Sequence, residues 1–278
     1  MYLAHFGLSE LPFGITPDTQ FIYAGSSHQS ALNTLLIAHQ SGEGFIKVTG
    51  EVGTGKTLLC RRFLSSLDDK TVAAYIPNPM LEPRALLASV AEELGAEPGN
   101  DAAFLIKSIS RRLLALAAEG RNALVCIDEA QTMPPMTLES LRLLSNLETE
   151  KRKLLQIILF GQPELDEKLA SPSARQLLQR IVFHHDIAPM PKAELQSYLD
   201  HRMQVAGYRG NSLFHPAATR LLHRYSGGTP RLVNVLAHKA LIAAYGAGQH
   251  QITPAMIKRA ATDTQGAKPG RWWWQFAL

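Results

Sequence analysis

Gly50-Glu51-Val52-Gly53-Thr54-Gly55-Lys56-Thr57 meets the pattern G-x-x-x-x-G-K-[ST] at every fixed position. Glycine at positions 50, 53 and 55 permits backbone angles that a Cβ forbids. Successive N–H groups can then turn inward and wrap an anion at the start of the following helix. The chemistry is phosphate binding. Lys56 would reach the β- and γ-phosphates of a nucleotide, and Thr57 would put a hydroxyl where a magnesium ion bridging those phosphates needs an oxygen. The contacts expected of the loop run from Gly50, Glu51 and Val52 through Gly53, Thr54 and Gly55 to Lys56, Thr57 and Leu58. An ordinary Gly-rich turn before a helix is the plain alternative. The apolar run Phe45-Ile46-Lys47-Val48 before the loop and the helix-forming Leu58 to Leu64 after it supply the strand–loop–helix setting that argues against it.

A second apolar run, Ala123 to Ile127, ends in Asp128-Glu129. Beside bound phosphates, Asp128 would hold the magnesium shell and Glu129 can polarise an attacking water. A helix cap at a strand end is the structural alternative. The interval between the motifs, residues 58–127, leaves room for an extra strand lying between the loop strand and the Asp-Glu strand, as in water-attacking P-loop ATPases. Simple kinases of small molecules usually lack the second carboxylate. Mg2+-dependent hydrolysis of ATP is the reaction these residues predict.

The elements that must position these groups are legible from apolar patterning. Strands are expected at 44–49, 71–76, 123–127, 154–160 and 181–183, alternating with helices after the loop and near 83–95, 101–119 and 135–150, and with short helices around Glu164 and Arg175. Strands apolar on both faces and separated by helices predict an α/β fold with a parallel sheet sandwiched by helices. At Pro189-Met190-Pro191 the pattern becomes helical only, near 192–206, 215–225, 230–246 and 254–263. Thr229 can cap the third of these, and Pro230 fits its first turn. The expected organisation is an arm (1–27), a nucleotide-binding α/β domain (28–188), a small all-helical lid domain (189–264) and a Trp-rich tail (265–278). The aromatics of the arm, among them Phe6, Phe13 and Phe21, either wall an adenine ring or plug a hydrophobic groove.

Composition narrows the function classes. A formal charge of +4 over 278 residues, without a block of like charges, permits weak attraction to nucleic acid or anionic lipid and demands neither. Cys60 and Cys126 fall on a predicted helix and a predicted buried strand, where small apolar residues go, so no disulfide framework is implied. The ten histidines show no zinc-ligand spacing. Met1 to Phe6 lack the order of a signal peptide, and no apolar run has the length of a membrane span, so a cytosolic, reducing location is expected.

Taken together, Phe6-Gly7-Leu8, Pro12-Phe13, Gly50 to Thr57, Asp128-Glu129-Ala130-Gln131, Gly161 to Leu165, Gln179-Arg180-Ile181 and Gly228-Thr229-Pro230-Arg231 resemble the AAA+ ATPases. More narrowly, they resemble the branch that contains protein A of type II secretion and MshM of mannose-sensitive haemagglutinin pilus biogenesis. The resemblance implies the P-loop NTPase (AAA+) fold. It also implies that Gln162 is the polar sensor of the γ-phosphate, although many AAA+ proteins carry Asn, Thr or Ser there; a turn residue without ligand contact is the alternative. Arg180 resembles the arginine finger that completes a neighbouring subunit's site, with Arg175 as competitor and a surface arginine as the plain reading. Arg231 resembles the second sensor, and an anionic ligand would explain an arginine at a helix N-terminus, where it opposes the dipole.

A homo-oligomer with Arg180 acting in trans follows from the resemblance, as do pilus or secretion partners at the inner membrane and a cytoplasmic, peripheral location. The alternative is an ATP-gated DNA-binding regulator like the transposition ATPases that share the Asp-Glu-Ala-Gln motif, but no helix-turn-helix or basic arm stands out. Arg271 and Trp272-Trp273-Trp274 suit a lipid headgroup layer or pack on a protein surface. Protein A relatives continue into a membrane helix and a peptidoglycan-binding domain. The chain is therefore expected to be a cytosolic relative or a fragment, and direct peptidoglycan binding is not expected.

Overall fold

The computed structural model describes residues 2–148, 153–172 and 174–267. The expected Trp-rich stretch of the tail lies outside them. The chain opens with α1 (Leu3–Phe6) and a 3-10 turn (Thr19–Phe21), followed by α2 (Ser26–Gln40), β1 (Phe45–Gly50) and α3 (Lys56–Ser65). Then come β2 (Thr71–Ile76), α4 (Pro83–Leu94), α5 (Ala102–Ala118), β3 (Asn122–Ile127) and α6 (Pro135–Leu144). β4 (Gln156–Gly161), α7 (Glu164–Ala170), α8 (Arg175–Leu178) and β5 (Ile181–Ile187) complete the alternating part. The last helices are α9 (Lys192–Val205), α10 (Pro216–Ser226), α11 (Pro230–Gly246) and α12 (Pro254–Thr262).

The residues divide into two compact units, one of 28–52 and 59–187, the other of the described residues in 1–27, 53–58 and from 188 on. In the first, five parallel strands pair in the order β2-β3-β4-β1-β5. β1 and β4 are buried along their whole length, and successive residues serve opposite faces. Ile157 and Leu159 join Val125 and Ile127 under α4, α5 and α6, while Ile158 and Phe160 join Ile46, Val48 and Cys126 under α2 and α3. Two covered faces explain why these strands read as continuous apolar runs. Lys47, the charged exception in β1, pairs with Asp166 of α7.

The extra strand expected from the 58–127 interval does form, as β2, but it lies at the sheet edge. The strand between β1 and β3 is β4, contributed by residues that follow Asp128-Glu129. The helix expected over 135–150 ends at Leu144, where Ser145 takes the C-cap position and Glu148 bridges to Lys153 in antiparallel fashion.

The second unit is helical. Leu195, Leu199, Leu222, Leu236 and Ile257 form its core together with Tyr2, Phe6, Phe13 and Phe21 from the opening segment. Those four aromatics are at most 4% exposed, so they pack into a core, and each contributes about 2–3 kcal/mol by burial. Polar contacts fix the segment. The guanidinium of Arg202 donates from Nε to Pro12 O at 2.5 Å and sits 4.7 Å from the centroid of the Phe21 ring, while Asn234 donates to Gly14 O at 3.1 Å.

Candidate functional site

In the helical unit, the loop from Gly53 leads into α3, which begins at Lys56. Gly53 has φ 81° and Gly55 φ 95°, the left-handed backbone that the spacing of glycines called for. Thr54 and Lys56 are buried, and Gly55 and Thr57 are half-buried. A ten-residue helix starting there presents first-turn N–H groups that lack intrahelical acceptors, which is the physical basis of phosphate binding. Arg231, the second residue of α11, is exposed, and its backbone N–H donates to Gly53 O at 3.2 Å. Thr229 occupies the N-cap of α11, but the cap expected from its hydroxyl is not made.

In the α/β unit, Gly50, Glu51 and Val52 leave the carboxyl end of β1, and Asp128 follows the carboxyl end of β3 on the same edge of the parallel sheet. Asp128 is 2% exposed. Its Oδ1 accepts the N–H of Glu129 at 2.9 Å, and its Oδ2 accepts the Tyr75 hydroxyl at 3.5 Å. Burial, and then the nearby Asp128 charge, push the Tyr75 phenol up to about 12. A buried carboxylate at a strand end is a hard-oxygen donor of the kind that suits Mg2+.

Glu129 is the only non-glycine residue with positive φ among the described residues, at 52°. Its carboxylate oxygen Oε2 accepts from Gln131 Nε2 at 2.5 Å and from Gln162 Nε2 at 3.1 Å. The longer amide at 162 thus reaches Glu129, and the two proposed hydrolytic side chains are brought together. Gln131 was expected only as part of a motif. Its side-chain contacts come from a 3-10 turn at Ala130–Thr132, which no periodicity announces.

Arg180 is half-buried before β5, and its Nη1 donates to Ser145 Oγ at 3.1 Å, at the C-terminus of α6. Arg175 is exposed at the start of α8. Cys60 and Cys126 are free and buried; the contact with Cys126, and then burial, push the Cys60 thiol up, in keeping with a packing role. Among the described residues no acidic, histidine or cysteine cluster forms a metal site of its own, and no helix is long and apolar enough to cross a membrane.

Residues 38–169 match the AAA domain family. The chain is 44% identical over 275 residues to general secretion pathway protein A of Aeromonas hydrophila, an alignment that covers 98% of this chain and 50% of that protein. The chain therefore spans about half the length of this relative. Among solved structures, the Aeropyrum pernix ORC2 protein superposes with a TM-score of 0.64 at 17% identity, covering 91% of this chain and 73% of that one. CDC6P from Pyrobaculum aerophilum gives 0.66 at 16% identity, over 88% and 70% of the two chains. The Thermotoga maritima RuvB Holliday junction branch migration motor gives 0.59 at 17%, over 91% and 73%. At such identities the likeness establishes the fold, a P-loop NTPase of the AAA type.

Proposed function

For a chain that carries an AAA domain and is related along nearly its whole length to a general secretion pathway protein A, we propose a Mg2+-dependent ATPase whose cycling supports assembly of a pilus or secretion machine at the inner membrane. The observation that carries the reading is the Glu129 carboxylate, next to Asp128 at the end of β3 and bonded by Gln162 from the end of β4. Gly50 to Leu58 would bind the phosphates, with Lys56 on the β- and γ-phosphates. Thr57 and Asp128 would hold Mg2+, which when bound neutralises phosphate charge. Glu129 would take a proton from the attacking water, and Gln162 would orient it or sense the γ-phosphate. Arg180 would complete the site of a neighbouring copy, so assembly and turnover would be coupled, while Arg231 would report the nucleotide to the helical unit. MSHA-type pilus biogenesis is the specific role favoured by the resemblance in the motifs. A peripheral position on the cytoplasmic side of the inner membrane goes with it.

The test uses Glu129→Gln loaded with ATP to capture partners from detergent-solubilised cell envelope, with DNA as a competing bait. Recovery of pilus or secretion inner-membrane components, lost in Lys56→Ala, is the expected result. Salt-resistant DNA capture without an envelope partner would overturn the assembly role in favour of a DNA-bound regulator.

A further inference from the structure

Gln131 holds two groups at once. Its Nε2 donates to Glu129 Oε2 at 2.5 Å, and its Oε1 accepts the backbone N–H of Gln162 at 3.0 Å. A backbone N–H can only donate, so the amide oxygen must face Gln162 and the NH2 must face Glu129; the orientation is settled by the partners. The turn that carries Gln131 is itself fastened. Lys168 Nζ donates to the carbonyl of Gln131 and, at 2.7 Å, to that of Met133. Gly161 leaves the room, since a Cβ there would stand 2.6 Å from Leu165 Cδ2 and 3.4 Å from Gln131 Oε1.

Glu129 needs such restraint. Its left-handed backbone is unfavourable by about 1–2 kcal/mol, and its carboxylate ends a side chain with several free rotations. We infer that Gln131 is a positioning residue: it clamps Oε2 of Glu129 to the end of β4 and leaves the other carboxylate oxygen to take the proton of the attacking water. The inference rests on the ATPase reading of Glu129. An amide suits the task because it donates to a carboxylate while accepting from a peptide, and no charged side chain does both.

Gln131→Glu tests this because it keeps length and an acceptor for the Gln162 N–H while replacing the donor by a second anion facing Glu129. Single-turnover ATP hydrolysis is measured for assembled wild type, Glu129→Gln and Gln131→Glu, with affinity for a fluorescent ATP analogue and melting temperature taken separately. The expected result is a fall of about 100-fold in the single-turnover rate with affinity within about twofold of wild type. A rate within about threefold of wild type, with Glu129→Gln inactive, would overturn the inference and leave the ATPase reading standing. A matched loss of rate and affinity would overturn it too, since Gln131 would then merely support the fold. Absence of hydrolysis by wild type would remove both. If Gln131→Glu does not fold, Gln131→Met, which removes donor and acceptor without adding charge, is read by the same criteria.

Discussion

The backbone N–H of Arg231 donates to the carbonyl of Gly53 at 3.2 Å, so the phosphate-binding loop closes the first turn of α11. Helix N-termini carry N–H groups without intrahelical acceptors, and Thr229, which stands at the N-cap, does not supply its hydroxyl. The loop carbonyl takes one of those donors instead. A change in the backbone of the loop would therefore be felt at the start of α11, next to the exposed Arg231 side chain.

Gly53→Ala is expected to break this relationship. At φ 81° an added Cβ is strained, and it would stand 2.6 Å from Arg231 Cβ and 3.3 Å from Thr229 Cγ2. Left-handed backbone alone is unfavourable by about 1–2 kcal/mol for an alanine, and neither neighbour is the far end of a flexible chain. Titration with a fluorescent ATP analogue should show at least about a tenfold loss of affinity while helical circular dichroism is retained. Unchanged affinity would mean that the loop accommodates a side chain.

Lys56→Ala and Glu129→Gln should separate binding from chemistry. Lys56 opens α3 within the phosphate-binding loop, whereas Glu129 lies at the end of β3 with its carboxylate held by two amides. Lys56→Ala should lose nucleotide binding. Glu129→Gln should keep it and lower turnover by about a hundredfold or more. Equal loss of binding in both would contradict this division of roles.

Arg180 is expected to act on a neighbouring copy. Its guanidinium is anchored by Ser145 at the end of α6, whereas Arg175 is exposed. Specific activity should rise with protein concentration and fall by about a thousandfold in Arg180→Ala. Arg175→Ala should retain activity. Mixing Arg180→Ala with Glu129→Gln, each inactive alone, should restore turnover, because one copy supplies the carboxylate and the other the arginine. Activity that is independent of concentration, with no rescue on mixing, would place both groups in one chain.

Much of this molecule is legible in its residues. β1, β3 and β4 bury both faces, and the parallel sheet follows from that. The spacing of Gly50, Gly53 and Gly55 announced the left-handed angles found at 53 and 55. Strand order was less accessible. β4 lies between β1 and β3 although it follows both in sequence, and apolar runs carry no record of which neighbours they choose. The cap expected at Thr229 is not made, and the Gly53 carbonyl, distant in sequence, accepts the Arg231 N–H of that first turn. Gln131 was missed as a contact because its partners, Glu129 and Gln162, meet it through a short turn and the end of another strand.

The packing of the opening segment should give stability two pH edges. Tyr2 donates its phenol to His238 Nδ1, or accepts from it according to tautomer, at 2.9 Å. Burial lowers the pKa of His238 and pushes that of Tyr2 up to about 12. A lowered histidine value means that the unfolded chain takes up the proton first as pH falls, so stability drops from about 6.5 downward until the folded imidazole is charged as well. A raised tyrosine value means that the unfolded chain loses its proton first, so stability also drops as pH rises from about 10 toward 12. Between those edges both groups are neutral and the Tyr2–His238 contact is intact. Melting temperatures of wild type, His238→Gln and Tyr2→Phe across this range check the assignment. His238→Gln should flatten the acid edge relative to wild type and Tyr2→Phe the alkaline edge, with both variants less stable than wild type near neutrality by about 1 kcal/mol for the lost hydrogen bond. Parallel curves for all three proteins would show that other groups set the pH dependence.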